Sequence, residues 1–354
     1  MATEPAQQQP LLNNEEQAAI GILPPSHWEE QSTVEDPDDD SASTIGSFIS
    51  STASLSSTIF EYRTIHGRTY HGEMGSAESW EPNDERHSEA LDLAQHVYTV
   101  VLDGKLFNAP LDKKKVQKVV DIGTGTGLWA IDFADEFPNA EVIGTDITPI
   151  QPTWVPANVK FELDDCNSEW TWPDNTFDFI HMRMLFGIVE DWDAIFRQAY
   201  RTCKPGGYTE SFVCDSTFRS EDDTVKDDSA LAQWGKVWNA AGRKMGRTFE
   251  VFAHNLQQKG MEAAGFVDIE VKDYYVPLGV WHKDKVLAEK GLWWKIHCES
   301  DLEGYLNYPF NAVMGWTPAQ TGVYAAQLRK ELGDPKYHAY TTWYYGPVNS
   351  VTTV

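Results

Sequence analysis

The chain has 354 residues, 41% of them hydrophobic, enough for one large α/β domain with insertions or for one domain and a tail. Its 54 acidic and 28 basic residues leave a formal net charge of -26. That balance argues against a nucleic-acid backbone or an anionic membrane surface as partner, since both need Lys and Arg to neutralise phosphate.

Four widely spaced cysteines, Cys166, Cys203, Cys214 and Cys298, form no metal pattern and read as reduced thiols. No secretion signal is legible at the start, and no apolar run approaches the ~20 residues of a membrane span. The expectation is a metal-independent protein of the cytoplasm or nucleus, without membrane insertion.

Residues 1–58 are rich in Gln, Asp, Ser and Thr, with an acidic block from Glu35 to Asp40. Such a composition buries too little apolar surface to offset its ordering entropy, so the segment reads as a disordered tail. Residues 59–110 read as an N-terminal helical cap. In it, Pro82-Asn83-Asp84-Glu85 starts a helix running to about Val101, with Leu91, Ala94, Val97 and Tyr98 on one face. The lysines from Lys113 to Lys118 read as a solvated linker into a buried strand. The large α/β domain spans residues 111–346, with insertions at about 215–250 and 278–316, and residues 347–354 are a short tail.

That domain is organised around KVVDIGTGTG, Lys118 to Gly127. Val119 to Ile122 reads as a buried strand, and Leu128 to Glu136 as a helix whose first amides lack partners. Between them Gly123, Gly125 and Gly127 allow a tight turn and close approach to a ligand. The dinucleotide fingerprint has G-x-G-x-x-G spacing, whereas this chain has G-x-G-x-G with Asp121 inside the strand. A compact cationic ligand fits that arrangement better than a pyrophosphate, with Asp121 and Thr124 beside it. A dehydrogenase fits poorly, because neither that spacing nor its catalytic side chains are found.

Glu141 to Thr145 is the second strand, ending at Asp146 and Ile147. An acid there accepts hydrogen bonds from ribose hydroxyls. Val159 to Leu163 is the third, followed by Asp165, suited to an adenine amino group, and by Cys166, whose amide suits a ring nitrogen. Trp170 and Trp172 either wall that base pocket or pack the loop. Phe177 to Met182 is the fourth strand. His181, Met182 and Arg183 stand at its carboxyl end, where open parallel sheets bind ligands. The helix Asp191 to Thr202 and the turn Lys204-Pro205-Gly206-Gly207 lead to strand five, Tyr208 to Cys214.

These motifs, with acids or glycines at successive strand ends, resemble those of class I S-adenosylmethionine-dependent methyltransferases. More closely, the chain resembles the fungal family that includes the velvet-complex regulator of secondary metabolism. The resemblance rests on His66 to His71, Pro82 to Glu85, Leu102 to Leu106, Gly123 to Trp129, Phe177 to Arg183, Lys204 to Tyr208 and His338 to Tyr340, and covers roughly residues 60–346. It implies a Rossmann-like, mostly parallel seven-stranded sheet with helices on both faces. It also implies S-adenosylmethionine as cofactor, the site pieces Asp121 to Gly127, Asp146 and Asp165, and a velvet-like protein partner or a dimer. The family often carries an acid after the K-P-G-G-Y turn, here Glu210, and a second near the end of strand five. This chain has Ser211 to Cys214 there, followed by Asp215.

Beyond strand five, Asp227 to Met245 reads as a helix carrying Trp234 and Trp238. Asn255 to Ala264 is another, Phe266 to Tyr274 is strand six, and Thr317-Pro318 opens a helix to about Leu332. His338 to Tyr345 is the last strand. The insertion at 278–316 holds Trp281, Trp293, Trp294, Tyr305, Tyr308, Phe310 and Trp316. Such aromatics suit an apolar substrate cavity, and equally a lid, a dimer face or a core.

Methyl transfer needs orientation above all. If it needs a base, His181 is the first candidate, with His71, Glu210 and His254 behind it. His71, Arg183, Trp234, Trp238 and Trp294 are the acceptor-side candidates. The function expected is methylation of a small secondary metabolite or a part in its regulation. The alternative is a non-catalytic or protein-methylating regulatory subunit.

Overall fold

A computed structural model of the chain describes residues 13–31, 62–72 and 79–350. Two short helices come first, Asn14–Ala19 (α1) and Pro25–Gln31 (α2). A small antiparallel pair follows, Arg63–Ile65 (β1) and Arg68–Tyr70 (β2), and then helix Glu85–Val101 (α3), capped by the Asp84 side chain. The central run is Lys118–Ile122 (β3), Leu128–Glu136 (α4), Glu141–Asp146 (β4), Val159–Leu163 (β5), Phe177–Arg183 (β6), Trp192–Thr202 (α5) and Cys203–Cys214 (β7). After it come Ala230–Met245 (α6), Leu256–Ala264 (α7), Lys272–Pro277 (β8), Lys285–Ser300 (α8) and Leu302–Leu306 (α9). A π-helical turn, Asn307–Val313, precedes Pro318–Gly333 (α10) and Tyr340–Ser350 (β9).

Seven strands form one sheet in the order β5-β4-β3-β6-β7-β9-β8. The first five pair in parallel, and β9 inserts antiparallel between β7 and β8. Alternation along the strands gives the sheet two apolar faces. Val119, Val142 and Phe179 pack with Trp129 and Phe133 of α4 on one side. Val120, Ile143 and Ile180 pack with α5 and α7 on the other, through Ile195, Phe196 and Met261. A third cluster, drawn from α3, α6, α8, α10 and the β8–β9 end of the sheet, stands over the carboxyl ends of β6 and β7. The expected doubly covered sheet is the one observed.

Three boundaries differ from expectation. Strand six does not start at Phe266, because Asp268 takes a left-handed backbone (φ 52°) that interrupts extended pairing, and β8 begins at Lys272. The last strand runs on to Ser350, so the expected tail from 347 is strand for its first four residues. The cap of residues 59–110 holds a β pair as well as its helix.

Within the segment read as a disordered tail, residues 13–31 are helical and docked. Trp28 is fully buried, its ring 5.2 Å from that of Tyr324 in α10, and the Trp316 indole donates to Gln17. The remainder of that reading, residues 1–12 and 32–58, lies outside the described residues. No helix among the described residues is long and apolar enough to cross a membrane.

Candidate active site

The glycine turn sits where β3 ends, in the middle of the sheet, and faces a cavity bounded by β4, β6 and α3. Gly123, Gly125 and Gly127 all take positive φ (70°, 58° and 83°). At Gly127 a Cβ would lie 2.3 Å from the Phe161 ring, so helix α4 can approach β5 only without a side chain there. The Thr124 amide donates to the Thr145 carbonyl (2.8 Å), and the Gly125 amide to Oδ2 of Asp146 (2.9 Å). Oδ1 of Asp146 accepts from the Thr148 amide (2.9 Å). Burial pushes the Asp146 carboxyl up to about 6, against the pull of those two amides.

Gly123, Thr124, Gly125, Asp146, Ile147, Asp165 and Cys166, named from the sequence as cofactor residues, line this cavity, and so does Arg183, named as an acceptor-side residue. Asp165 and Asn167 are held together, the Asn167 amide donating to Oδ1 of Asp165 (3.0 Å). The Arg183 guanidinium lies 4.3 Å from the centroid of the Tyr98 ring and donates to Oε1 of Gln95. Burial lowers its pKa from the ordinary arginine value. The lining among the described residues carries four acids, Glu81, Asp146, Asp164 and Asp165, against the one guanidinium of Arg183. A cation, or a ligand rich in hydroxyl and amino donors, suits that surface.

Several expected site residues are not on it. Asp121 is buried beneath the turn, accepting from Thr124 Oγ1 (2.7 Å) and facing His181 Nδ1 (2.7 Å). His181 is 2% exposed and lies flat on Trp129, ring centroids 3.8 Å apart. Burial lowers its pKa below the ordinary imidazole value, and it does not line the cavity. Met182 points into the core shared with α5 and α7, because consecutive strand residues face opposite sides. Gly127 shapes the turn from behind.

The other proposed bases are also displaced. Glu210 is fully buried, accepting from the amides of Asn108 (2.8 Å) and Ala109 and from the Tyr345 hydroxyl. Burial raises it to about 7, and it lines neither this cavity nor the tryptophan-lined one beside it. Its carboxylate ties the loop before β3 to β9. His71 is buried beside the β1–β2 pair and His254 is exposed on the surface; neither lines this cavity or the tryptophan-lined one.

A second cavity adjoins the first. Trp234 and Trp238 of α6 and Trp294 of α8 line it, joined by Trp80, Phe186 and Tyr305. Residues some sixty positions apart in sequence thus form one apolar wall, which three of the five acceptor-side candidates share and His71 and Arg183 do not. The insertion is divided: Trp294 and Tyr305 reach this cavity, whereas Trp281 donates to the Ala339 carbonyl and Trp316 and Phe310 pack with Tyr324. Glu81, Leu91, Tyr98 and Met184 line both cavities and form the passage between them.

The passage residues went unrecognised in the sequence. The α3 face of Leu91, Ala94 and Tyr98 has the spacing of an ordinary packing stripe, and at both Leu91 and Tyr98 that stripe meets cavity rather than core. Glu81 precedes the helix and carries no motif of its own. Met184 betrays itself only through its left-handed backbone (φ 55°). Among the described residues no group of three or more His, Cys, Asp or Glu is placed to hold a metal.

Comparison with known proteins places this geometry. A family described as "Methyltransferase domain" matches residues 93–271. The chain is 38% identical over 291 residues to "Methyltransferase pytC" of Aspergillus terreus, covering 82% of this chain and 88% of that protein. It is 33% identical over 280 residues to "Secondary metabolism regulator LAE1" of Cochliobolus heterostrophus, covering 78% and 90%. It is 29% identical over 284 residues to "Protein-methionine methyltransferase laeA" of Emericella nidulans, covering 79% and 74%.

Proposed function

The chain belongs to this methyltransferase-domain family, and from that premise we propose that it methylates a small apolar or aromatic metabolite held in the tryptophan-lined cavity. It is an S-adenosylmethionine-dependent methyltransferase linked, with its relatives, to secondary metabolism. The lining fits that cofactor: Asp146 offers carboxylate oxygens to ribose hydroxyls, Asp165 and Cys166 lie one strand further on for the base, and the acidic excess suits a sulfonium. When bound, the cofactor supplies an electrophilic methyl group whose leaving group is already good.

The remaining task for this chain is to orient and to exclude water. The observation carrying the reading is the sharing of Glu81, Leu91, Tyr98 and Met184 by the two cavities, which brings an aromatic chamber up against the cofactor site. Trp80, Trp234 and Trp238 offer flat apolar faces, with Trp80 and Trp238 packed edge to face at 4.5 Å. His181 acts from behind by bracing the floor of the glycine turn, and Glu210 by tying the loop before β3 to β9.

A second reading, transfer to a protein, is favoured by the name of one relative, a protein-methionine methyltransferase. A velvet-like regulatory partner or a dimer belongs with that reading. The test is transfer of label from methyl-labelled S-adenosylmethionine in the presence of a metabolite extract and, separately, of total protein from a fungal culture. Label in an extractable small molecule, lost in a Trp238→Ala variant, supports the metabolite. Label confined to protein overturns it in favour of the second reading.

A further inference from the structure

Glu81 stands where the two cavities meet. It lines the cofactor cavity and the aromatic chamber together, and among the described residues nothing donates a hydrogen bond to its carboxylate. Its amide is tied to the Ser79 hydroxyl (3.1 Å), and its neighbour Trp80 is pinned by an indole bond to the Phe186 carbonyl (3.2 Å). The backbone that presents it is therefore anchored on both sides of the passage. The other acids behave differently. Asp146 already accepts from one amide at each oxygen, Asp215 is paired with Arg219, and Glu210 is enclosed by Asn108, Ala109 and Tyr345.

An acceptor-only group left free at an apolar passage costs solvation free energy until a donor meets it. The groups around it cannot be that donor without moving. Asp146 from β4 is itself an acid. Tyr98 of α3 and Tyr305 of α9 feel its charge but make no bond to it; His87 of α3 holds Asp301 through Nδ1, and its buried Nε2 makes no bond to Glu81. Arg183, which lines the cofactor side, donates to Gln95. The missing partner is a donor brought in by the ligand.

Building on the methyltransferase reading and its aromatic acceptor chamber, we propose that Glu81 sets the class of acceptor: an aromatic or apolar molecule whose nucleophilic atom carries a proton, a hydroxyl or amine, with carboxylates excluded. Glu81 accepts the hydrogen bond from that O–H or N–H, which orients the atom's free lone pair towards the cofactor. An anionic acceptor would instead bring a second negative charge into an apolar passage, where repulsion is weakly screened.

The test is calorimetry with the protein saturated in S-adenosylhomocysteine, titrated with 2-naphthol and with 2-naphthoate, which share one ring system. The unaltered protein is expected to bind the naphthol at least about tenfold more tightly, and Glu81→Gln to bring the two within about threefold. Burial raises the Glu81 carboxyl above the ordinary glutamate value, so as pH falls and Glu81 takes up a proton the unaltered protein should gain more affinity for the naphthoate than Glu81→Gln does. The comparison of the two probes in the unaltered protein needs no variant to fold.

Equal affinities for the two probes in the unaltered protein would overturn the inference and leave the methyltransferase reading standing. So would loss of S-adenosylhomocysteine binding in a folded Glu81→Gln protein, which would make Glu81 a cofactor ligand. Binding of S-adenosylhomocysteine with neither probe bound would remove the acceptor chamber, and this inference with it. No binding of S-adenosylhomocysteine by the unaltered protein would strike the earlier reading itself.

Discussion

Nδ1 of His181 faces Oδ1 of Asp121 at 2.7 Å, and the two residues are register partners on adjacent parallel strands. The contact turns both away from the cofactor cavity. Asp121 spends its second oxygen on Thr124, inside the glycine turn, and His181 lies flat on Trp129 of the following helix. Two residues with the look of chemistry form a buried brace under the loop that holds the ligand.

Removal of the brace should therefore cost stability before chemistry. His181→Ala leaves a buried carboxylate short of a partner and opens a void against Trp129, at a cost of about 3 kcal/mol. Thermal unfolding should show a lower midpoint, and calorimetry a weaker S-adenosylhomocysteine site. A variant of unchanged stability with only its rate altered would contradict this.

Glu210 gives a sharper pH signature. Its folded pKa, about 7, lies above the ordinary 4.5, so the folded protein holds a proton that the unfolded chain releases. The stability this contributes is fully present below pH 4.5 and is lost as pH rises through about 7. Glu210→Gln, with no proton to lose, should gain on the parent across that window in urea unfolding at a series of pH values, and should bind cofactor normally.

Asp146 should control cofactor affinity. Asp146→Ala removes the carboxylate offered to the ribose and leaves the Gly125 and Thr148 amides without their acceptor; affinity for S-adenosylhomocysteine should fall by about 10- to 100-fold. In the unaltered protein ligand hydroxyls favour the ionised acid, so affinity should drop as pH falls below about 6. Calorimetry at several pH values measures both.

Gly127→Ala tests the helix–strand approach. The new Cβ meets the Phe161 ring in a left-handed backbone, which should cost roughly 1–3 kcal/mol and loosen the turn. Chemical denaturation measures the loss. A variant as stable as the parent would show that α4 can shift away from β5 freely.

Trp28→Ala tests whether the N-terminal helices belong to the fold. Deleting a fully buried indole that packs on Tyr324 should cost about 3 kcal/mol, or release α1 and α2 as a unit. Limited proteolysis at residues 13–31 separates the two, since only release creates new early cleavage there.

By itself the sequence determined the sheet and the cofactor loop. Short apolar runs over β3, β4 and β6, the three glycines and the acids Asp146 and Asp165 at strand ends are local signals, each readable within a few residues. The three tryptophans of the acceptor wall were legible as candidates, but their convergence was not, since α6 and α8 meet only through the packing of the third cluster. His181 and Glu210 look catalytic in one dimension because a strand end is where ligands bind. Only the tertiary structure assigns their polar atoms, for a buried hydrogen bond depends on which strand lies alongside and on which loop folds back. The same holds in reverse for Glu81, a residue without a motif, which gains its position because a helix and two cavities meet around it.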